Sequence, residues 1–252
     1  MNQNSKYAFC KVSVSPIRRE KRDASEMISQ LLFGEPVEII EIDYPWIKIQ
    51  SLIDGYEGYI DKKQVVSISP KELKKWIYEY EREICLFSDI QTPWGRQTIC
   101  AGSFTSNEVH FNIGEFTFQR KHTFESLNQD IYSYANSFLN TPYLWGGKNI
   151  LGIDCSGFSQ IVFSVFGKKL PRDAYQQADI GFSVEFINKK SGDLAFFCNE
   201  NGKIIHVGIV GPDNKIIHAS GLVRIDDFKP DGIYIENTQS KTHNLYSIKR
   251  ID

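Results

Sequence analysis

A single cysteine, Cys155, sits in the stretch YLWGGKNILGIDCSGF, residues 143–158, flanked by Asp154 and Ser156 and followed by an apolar run. A thiol is a useful nucleophile only as its thiolate, and a helix N-terminus or a neighbouring imidazolium lowers its pKa from about 8.5 toward about 3.5–7.5. After the cysteine, Phe158, Ile161, Val162 and Val165 share one helical face and Gly167 supplies a C-cap, so the spacing predicts a helix starting at or just after Cys155. The competing reading is a buried structural cysteine, the common fate of a free thiol. Gly146, Gly147, Gly152 and Gly157 favour a reactive site, because they let backbone and substrate approach closely.

A nucleophile needs a base, and the chain offers His110, His122, His206, His218 and His243. Two of these fall in the segment KIIHVGIVGPDNKIIHAS, residues 203–220, which reads as a hairpin turning at Gly211 to Asn214. His206 and His218 lie about equally far from the turn, which places the imidazoles side by side on adjacent strands. One ring can take the thiol proton while the other fixes its tautomer and orientation. A zinc set of Cys155, His206, His218 and Cys198 is the metal alternative, although the spacings match no common zinc pattern. His110, His122 and His243 read as surface residues.

These residues need elements to hold them. Residues 123–140 carry Leu127, Ile131, Tyr134 and Phe138 at helical spacing, stopped by Asn140, Thr141 and Pro142. Beyond the cysteine helix, GDLAFFC, KIIHVGIVG, KIIHAS, IYIE and LYSIKRI alternate as antiparallel strands, so residues 123–252 read as an α+β domain. Residues 1–68 read as short strands, with Val37 to Ile42 and Trp46 to Ile49 joined at Asp43, Tyr44 and Pro45 and a hairpin turn at Asp54-Gly55. Residues 69–122 open with the charged stretch SPKELKKWIYEYERE and continue as strands broken by Pro93, Gly95, Gly102 and Gly114. They read as a second, shorter barrel or as an elaborated linker packed on its neighbours.

Composition narrows the function classes. The chain has 252 residues, 41% hydrophobic, and a net charge of −2 from 29 basic and 31 acidic side chains, which gives no general attraction to nucleic acid or anionic membrane. The first residues lack a basic and apolar leader pattern, and no run of about 18 apolar residues occurs, so a soluble, cytoplasmic protein is expected. An odd count of 5 cysteines without a CxxC pair argues against a disulfide framework or structural zinc.

Two resemblances sharpen this reading. SEMISQLLFGEPVEII, a Trp-containing strand and DGYEGYI resemble a bacterial SH3-like domain of the kind appended to cell-wall enzymes. YLWGG, DCSGF, LPRDAYQQ, SGDLAFF, HVGIV and IIHAS, in this order from residue 123 onward, resemble the NlpC-type cell-wall cysteine peptidases, a papain-like superfamily. The resemblance implies a papain-like α+β catalytic domain after one or two small all-β SH3-like barrels, with Cys155 as nucleophile, His206 as general base, His218 as orienting residue and no cofactor or metal. Tyr143 and Trp145 would then wall the cleft or simply pack in the core. The Cys155 N–H and Tyr143 would stabilise the oxyanion. Asp154 and Ser156 would bind substrate or cap the helix start. SH3-like domains together with PRDAYQQ resemble the γ-D-glutamyl-L-diamino acid endopeptidases. That implies cleavage of cell-wall peptides between D-glutamate and a diamino acid, usually diaminopimelate, with a free N-terminal L-alanine bound by Asp173 and by first-domain residues, of which Glu26 and Tyr56 are the candidates. Family members often carry serine after that aspartate, where this chain has Ala174. Release of L-Ala-γ-D-Glu in cytoplasmic murein recycling is the expected function. An extracellular hydrolase acting on intact wall and a non-catalytic wall-binding protein are the alternatives.

Overall fold

Strand-forming residues alternating with turns organise the first part of the chain, and glycine-rich loops around one buried helix organise the second. The computed structural model describes residues 5–122 and 127–252 and divides into two units, Met1–Leu127 and Asn128–Asp252.

The first unit begins with β1 (Tyr7–Cys10), β2 (Val14–Arg18), β3 (Met27–Leu32), β4 (Pro36–Asp43), β5 (Trp46–Ser51), β6 (Glu57–Asp61) and β7 (Val65–Ile68). They form one antiparallel sheet in the order β3-β2-β6-β5-β4-β1-β7. The β4–β5 and β5–β6 connections fall where the turn residues placed them, and Ile17, Leu31, Val37, Ile47, Ile49 and Ile60 meet in its apolar core. Ser69 then caps α1 (Pro70–Glu79) in a reciprocal box with Glu72, and Trp76 on its buried face donates Nε1–H to the Gly34 carbonyl at 2.8 Å. The remaining strands are β8 (Glu81–Arg82), β9 (Phe87–Thr92), β10 (Gly95–Cys100), β11 (Phe104–Thr105), β12 (His110–Ile113) and β13 (Phe116–Arg120). They make a four-stranded sheet, β10-β9-β13-β12, and a short β11–β8 ladder. Ile90, Ile99, Phe111 and Phe118 share a core with Phe9, Phe33 and Ile68, so this segment has no interior of its own.

The second unit opens with α2 (Ile131–Asn136), capped by Asp130, so the helix is shorter than its periodicity predicts; residues 123–126 of that segment lie outside the described residues. Asn140 turns the chain with φ of 69° into a loop carrying the short ladder of β14 (Lys148–Asn149) and β15 (Gly152–Ile153). Next come α3 (Cys155–Val165), α4 (Ala174–Gln177), β16 (Phe182–Ser183), β17 (Leu194–Cys198), β18 (Ile204–Val210), β19 (Lys215–Ser220), β20 (Leu222–Lys229), β21 (Gly232–Tyr234) and β22 (Lys241–Arg250). β17 to β22 pair antiparallel in succession, and β22 also pairs with β17, which closes the sheet on itself. Ala195, Phe197, Val210, Ile216, Phe228 and Ile233 fill an apolar cluster within it. α3 packs on β18 and β19, and its residues from Cys155 through Phe163 are buried, where an amphipathic helix was expected. β20 was not expected as a strand, because the pair Asp226-Asp227 interrupts its apolar pattern.

Candidate active site

The loop before α3 is built on close backbone contacts. A Cβ on Gly147 would lie 2.3 Å from the Gly152 carbonyl oxygen, and one on Gly157 would lie 2.2 Å from the Gly147 carbonyl oxygen. Neither position can carry a side chain, so both glycines serve the packing of the loop on the helix start. Asp154 caps α3: Oδ1 accepts from the Gly157 N–H at 2.7 Å and Oδ2 from the Gly146 N–H at 2.8 Å.

Arg172, only 1% exposed, locks this cap from the other side. Its guanidinium donates to Asp154 Oδ1 at 3.0 Å, to Oδ2 at 2.6 Å and to Ser156 Oγ at 2.9 Å. Ser156 Oγ in turn donates to Asp154 Oδ1 at 3.2 Å. Asp154 and Ser156 thus do the work of the capping alternative, holding the start of α3. Gln177, fully buried on α4, completes the clamp by accepting from Ser159 Oγ at 2.7 Å and donating to the carbonyls of Ser156 at 3.0 Å and Pro171 at 2.8 Å. Arg172 and Gln177 belong to the stretch LPRDAYQQ, which gives no local sign of these partners. Arg172 lies 18 residues beyond Asp154, so only the tertiary fold brings the two together.

Cys155 therefore starts a helix held on three sides. The backbone amides of Val207 and Ser156 act to lower its pKa, and α3 packs on β18, so the thiol sits near the strand directly after His206. Burial and the Asp154 charge push the thiol up to about 12, against the pull of those N–H groups and Arg172. The helix start alone predicted the opposite direction; enclosure outweighs it. Tyr143, half-buried on the preceding loop, is raised above the ordinary phenol range by burial and by Cys155 and Asp154, so its hydroxyl stays a donor near the thiol. Trp145, on the same loop, is 60% exposed and lies outside the core.

His206 Nε2 and His218 Nδ1 are 2.8 Å apart. Their strands pair Gly208 with His218, so the two histidines are diagonal neighbours whose imidazoles sit side by side on adjacent strands, as expected. Gly208 makes this possible, since a Cβ there would lie 2.8 Å from Ile216 Cδ1 and 3.0 Å from His218 Cβ. His218 Nε2 lies 3.0 Å from Asp226 Oδ2. His243, expected on the surface, is half-buried and stacks on His206 with ring centroids 4.2 Å apart. Burial, with contributions from His218 and His243, holds His206 well below the usual imidazole range. Burial and the neighbouring His218 bring His243 down to about 4. Cys155 and His206 consequently both rest neutral near pH 7.

Cys155 lies on α3 against β18, the strand that carries His206 beside His218, and Tyr143 feels the charge of Cys155. Asp173 follows Arg172 at the start of α4, partly buried, with its N–H donated to Gln176 Oε1 at 3.2 Å. Glu26 and Tyr56 belong to the first unit. Glu26 lies just before β3 and pairs with Arg19 Nε at 2.7 Å, while Tyr56 closes the β5–β6 connection, its carbonyl accepting from the Ser51 N–H at 2.9 Å. Among the described residues no group of three or more His, Cys, Asp or Glu side chains has the geometry to hold a metal ion.

Comparison with known proteins places this geometry. Residues 140–244 match the NlpC/P60 family, and residues 17–65 match the bacterial dipeptidyl-peptidase Sh3 domain. The chain is 44% identical over 93 residues to the γ-D-glutamyl-L-lysine dipeptidyl-peptidase of Bacillus subtilis, an alignment of 36% of this chain and 31% of that protein, so it spans about a third of that relative. It is 28% identical to dipeptidyl-peptidase 6 of Lysinibacillus sphaericus, over 78% of this chain and 81% of that one. It is 38% identical to the probable endopeptidase NlpC of Escherichia coli, over 50% of this chain and 76% of that one. The crystal structure of an NlpC/P60 family protein from Bacillus cereus shares the fold at TM-score 0.78 and 19% identity, covering 97% of this chain and 99% of that one. With an SH3-like domain ahead of a catalytic domain of this type, the chain belongs to the NlpC/P60 family of cell-wall cysteine peptidases.

Proposed function

We propose that this protein hydrolyses the γ-D-glutamyl–diamino acid bond of cell-wall peptides that carry a free N-terminal L-alanine, releasing L-Ala-γ-D-Glu. The observation that carries the proposal is the hydrogen-bonded His206–His218 pair beside a thiol at a helix start. Cys155 Sγ attacks the γ-carbonyl carbon of D-glutamate as its proton passes to His206 Nδ1, the ring nitrogen that His218 leaves free. The Cys155 N–H and the Tyr143 hydroxyl donate to the oxyanion. The His206 proton then goes to the departing amine of the diamino acid as the C–N bond breaks, leaving a thioester. Water attacks the thioester with His206 taking its proton, which frees the dipeptide and restores the thiol.

The dipeptidyl-peptidase names of the relatives and the matched Sh3 domain support the narrower specificity. In this reading Asp173 pairs with the substrate amine, and Trp145 lines the cleft rim. A free alanine amine exists only on a stem already released from glycan, so the function proposed is murein recycling in the cytoplasm.

The test is mass spectrometry of products from L-Ala-γ-D-Glu-diaminopimelate and L-Ala-γ-D-Glu-L-Lys, each free or acetylated at the amine, with wild type and Cys155→Ala. Release of L-Ala-γ-D-Glu by wild type alone, and from free peptides alone, is the expected result. Equal cleavage of free and acetylated peptides would replace recycling with general wall hydrolysis. No cleavage by folded protein would favour a wall-binding role.

A further inference from the structure

Asp226 has no part in the chemistry described so far, yet its surroundings leave it one state. Arg224 lies opposite His218 in the β19–β20 register, and Asp226 follows two residues on along the same face of β20. Arg224 Nη2 donates to Asp226 Oδ1 at 2.7 Å, the Glu236 N–H donates to the same oxygen at 3.4 Å, and Arg224 Nε lies 2.7 Å from Oδ2. Burial acts to raise the pKa of this carboxyl, but hydrogen bonds from His218 and Arg224 outweigh it and hold the group below its ordinary range. A carboxylate enclosed by donors is ionised and can only accept.

That single constraint propagates. His218 must carry its proton on Nε2 to donate to Asp226 at 3.0 Å, so its Nδ1 is bare. His206 must then carry its proton on Nε2 to donate to His218 at 2.8 Å, and its Nδ1 is bare in turn. We propose that Asp226 is a positioning residue that fixes the tautomers of both histidines, so that His206 presents an unprotonated Nδ1 to the Cys155 thiol. The inference rests on the reading of His206 as general base.

Asparagine at this position has one acceptor oxygen where aspartate has two. Arg224 and the Glu236 N–H claim that oxygen, so the amide NH2 faces His218 Nε2. His218 then shifts its proton to Nδ1 and donates to His206 Nε2. His206 must carry its own proton on Nδ1, where it can no longer accept from the thiol.

The experiment combines kinetics on the peptide cleaved by wild type with long-range 1H–15N correlation spectra of 15N-histidine-labelled protein, for wild type and Asp226→Asn. Wild type should show the Nε2–H tautomer at both His206 and His218. Asp226→Asn should show Nδ1–H at both and lose about 10²–10⁴-fold in kcat, the range of general-base catalysis. Its KM should stay within about twofold. An Nδ1–H tautomer at His218 in wild type overturns the proposal without any variant, so a misfolded Asp226→Asn protein does not rescue it. So does a loss of kcat without a change of tautomer, or unchanged kcat in the folded variant. If wild type cleaves no wall peptide, the functional reading fails, while the wild-type tautomers still decide the role of Asp226.

Discussion

Replacing Arg172 with methionine tests the claim that the cap of α3 is held by a buried bidentate pair. Hydrogen bonds to Asp154, at 3.0 and 2.6 Å, and to Ser156 Oγ, at 2.9 Å, disappear. The Asp154 carboxylate, 5% exposed, is left with the Gly146 and Gly157 N–H groups and the Ser156 hydroxyl but without a countercharge. Removing one partner of a buried ion pair costs about 3–5 kcal/mol. For a chain of this size that is roughly 2–4 °C of Tm per kcal/mol, hence a fall of about 6–20 °C. Thermal unfolding by circular dichroism reads the loss, and Asp154→Asn with Arg172→Met in one chain completes the cycle. The double variant should lose less than the sum of the single losses, because the lone charge is gone. A second readout separates this from ordinary packing damage. Arg172 lowers the Cys155 pKa and Asp154 raises it, so Arg172→Met should make the thiol still harder to ionise and slow its alkylation near neutral pH. A Tm within about 2 °C of wild type, which is less than 1 kcal/mol, would refute the assignment of the clamp.

Three further outcomes are expected. In the proposed mechanism His206 takes a proton only when neutral, and its pKa is held well below 6.5, so the acid limb of kcat/KM should lie below pH 6.5; the thiol, pushed up to about 12, should give no alkaline fall near its ordinary pKa of about 8.5. His243→Ala uncovers one face of His206 and removes a neighbouring charge site, both of which raise the His206 pKa and move the acid limb upward; an unmoved limb would show that the stack does not tune the base. Gly208→Ala forces a methyl against Ile216 and His218, which should cost about 1–3 kcal/mol in urea unfolding and separate the two imidazoles, lowering kcat more than it raises KM; unchanged kcat would mean that the strand gives way elsewhere.

The local parts of the site were legible because their causes are local. Asp154 before a helical apolar pattern marks a cap, and α3 starts at Cys155 as that pattern predicts. The β4–β5 and β5–β6 connections follow from their turn residues, and the hairpin of β18 and β19 follows from the Pro-Asp-Asn stretch between two apolar runs. The shorter α2, the shared interior of residues 69–122 with the first sheet, and the strand at β20 depend on packing partners distant in sequence. The half-burial of His243 has the same cause. Its exposed-looking neighbours Lys241 and Thr242 gave no hint that β22 closes the sheet and carries the ring onto His206.

By itself, the sequence determined a helix-start thiol, a hairpin bearing two histidines, and glycines where the backbone must approach itself. Those follow from periodicity, capping and turn chemistry over a few residues. Tertiary structure alone decided the diagonal offset of His206 and His218, the enclosure that keeps thiol and imidazole neutral, and the arrival of Arg172 at Asp154 and of Asp226 at His218. Strand register and burial arise from many contacts across the whole domain, and a hydrogen bond between distant residues exists only once that packing has set both ends within about 3 Å of each other.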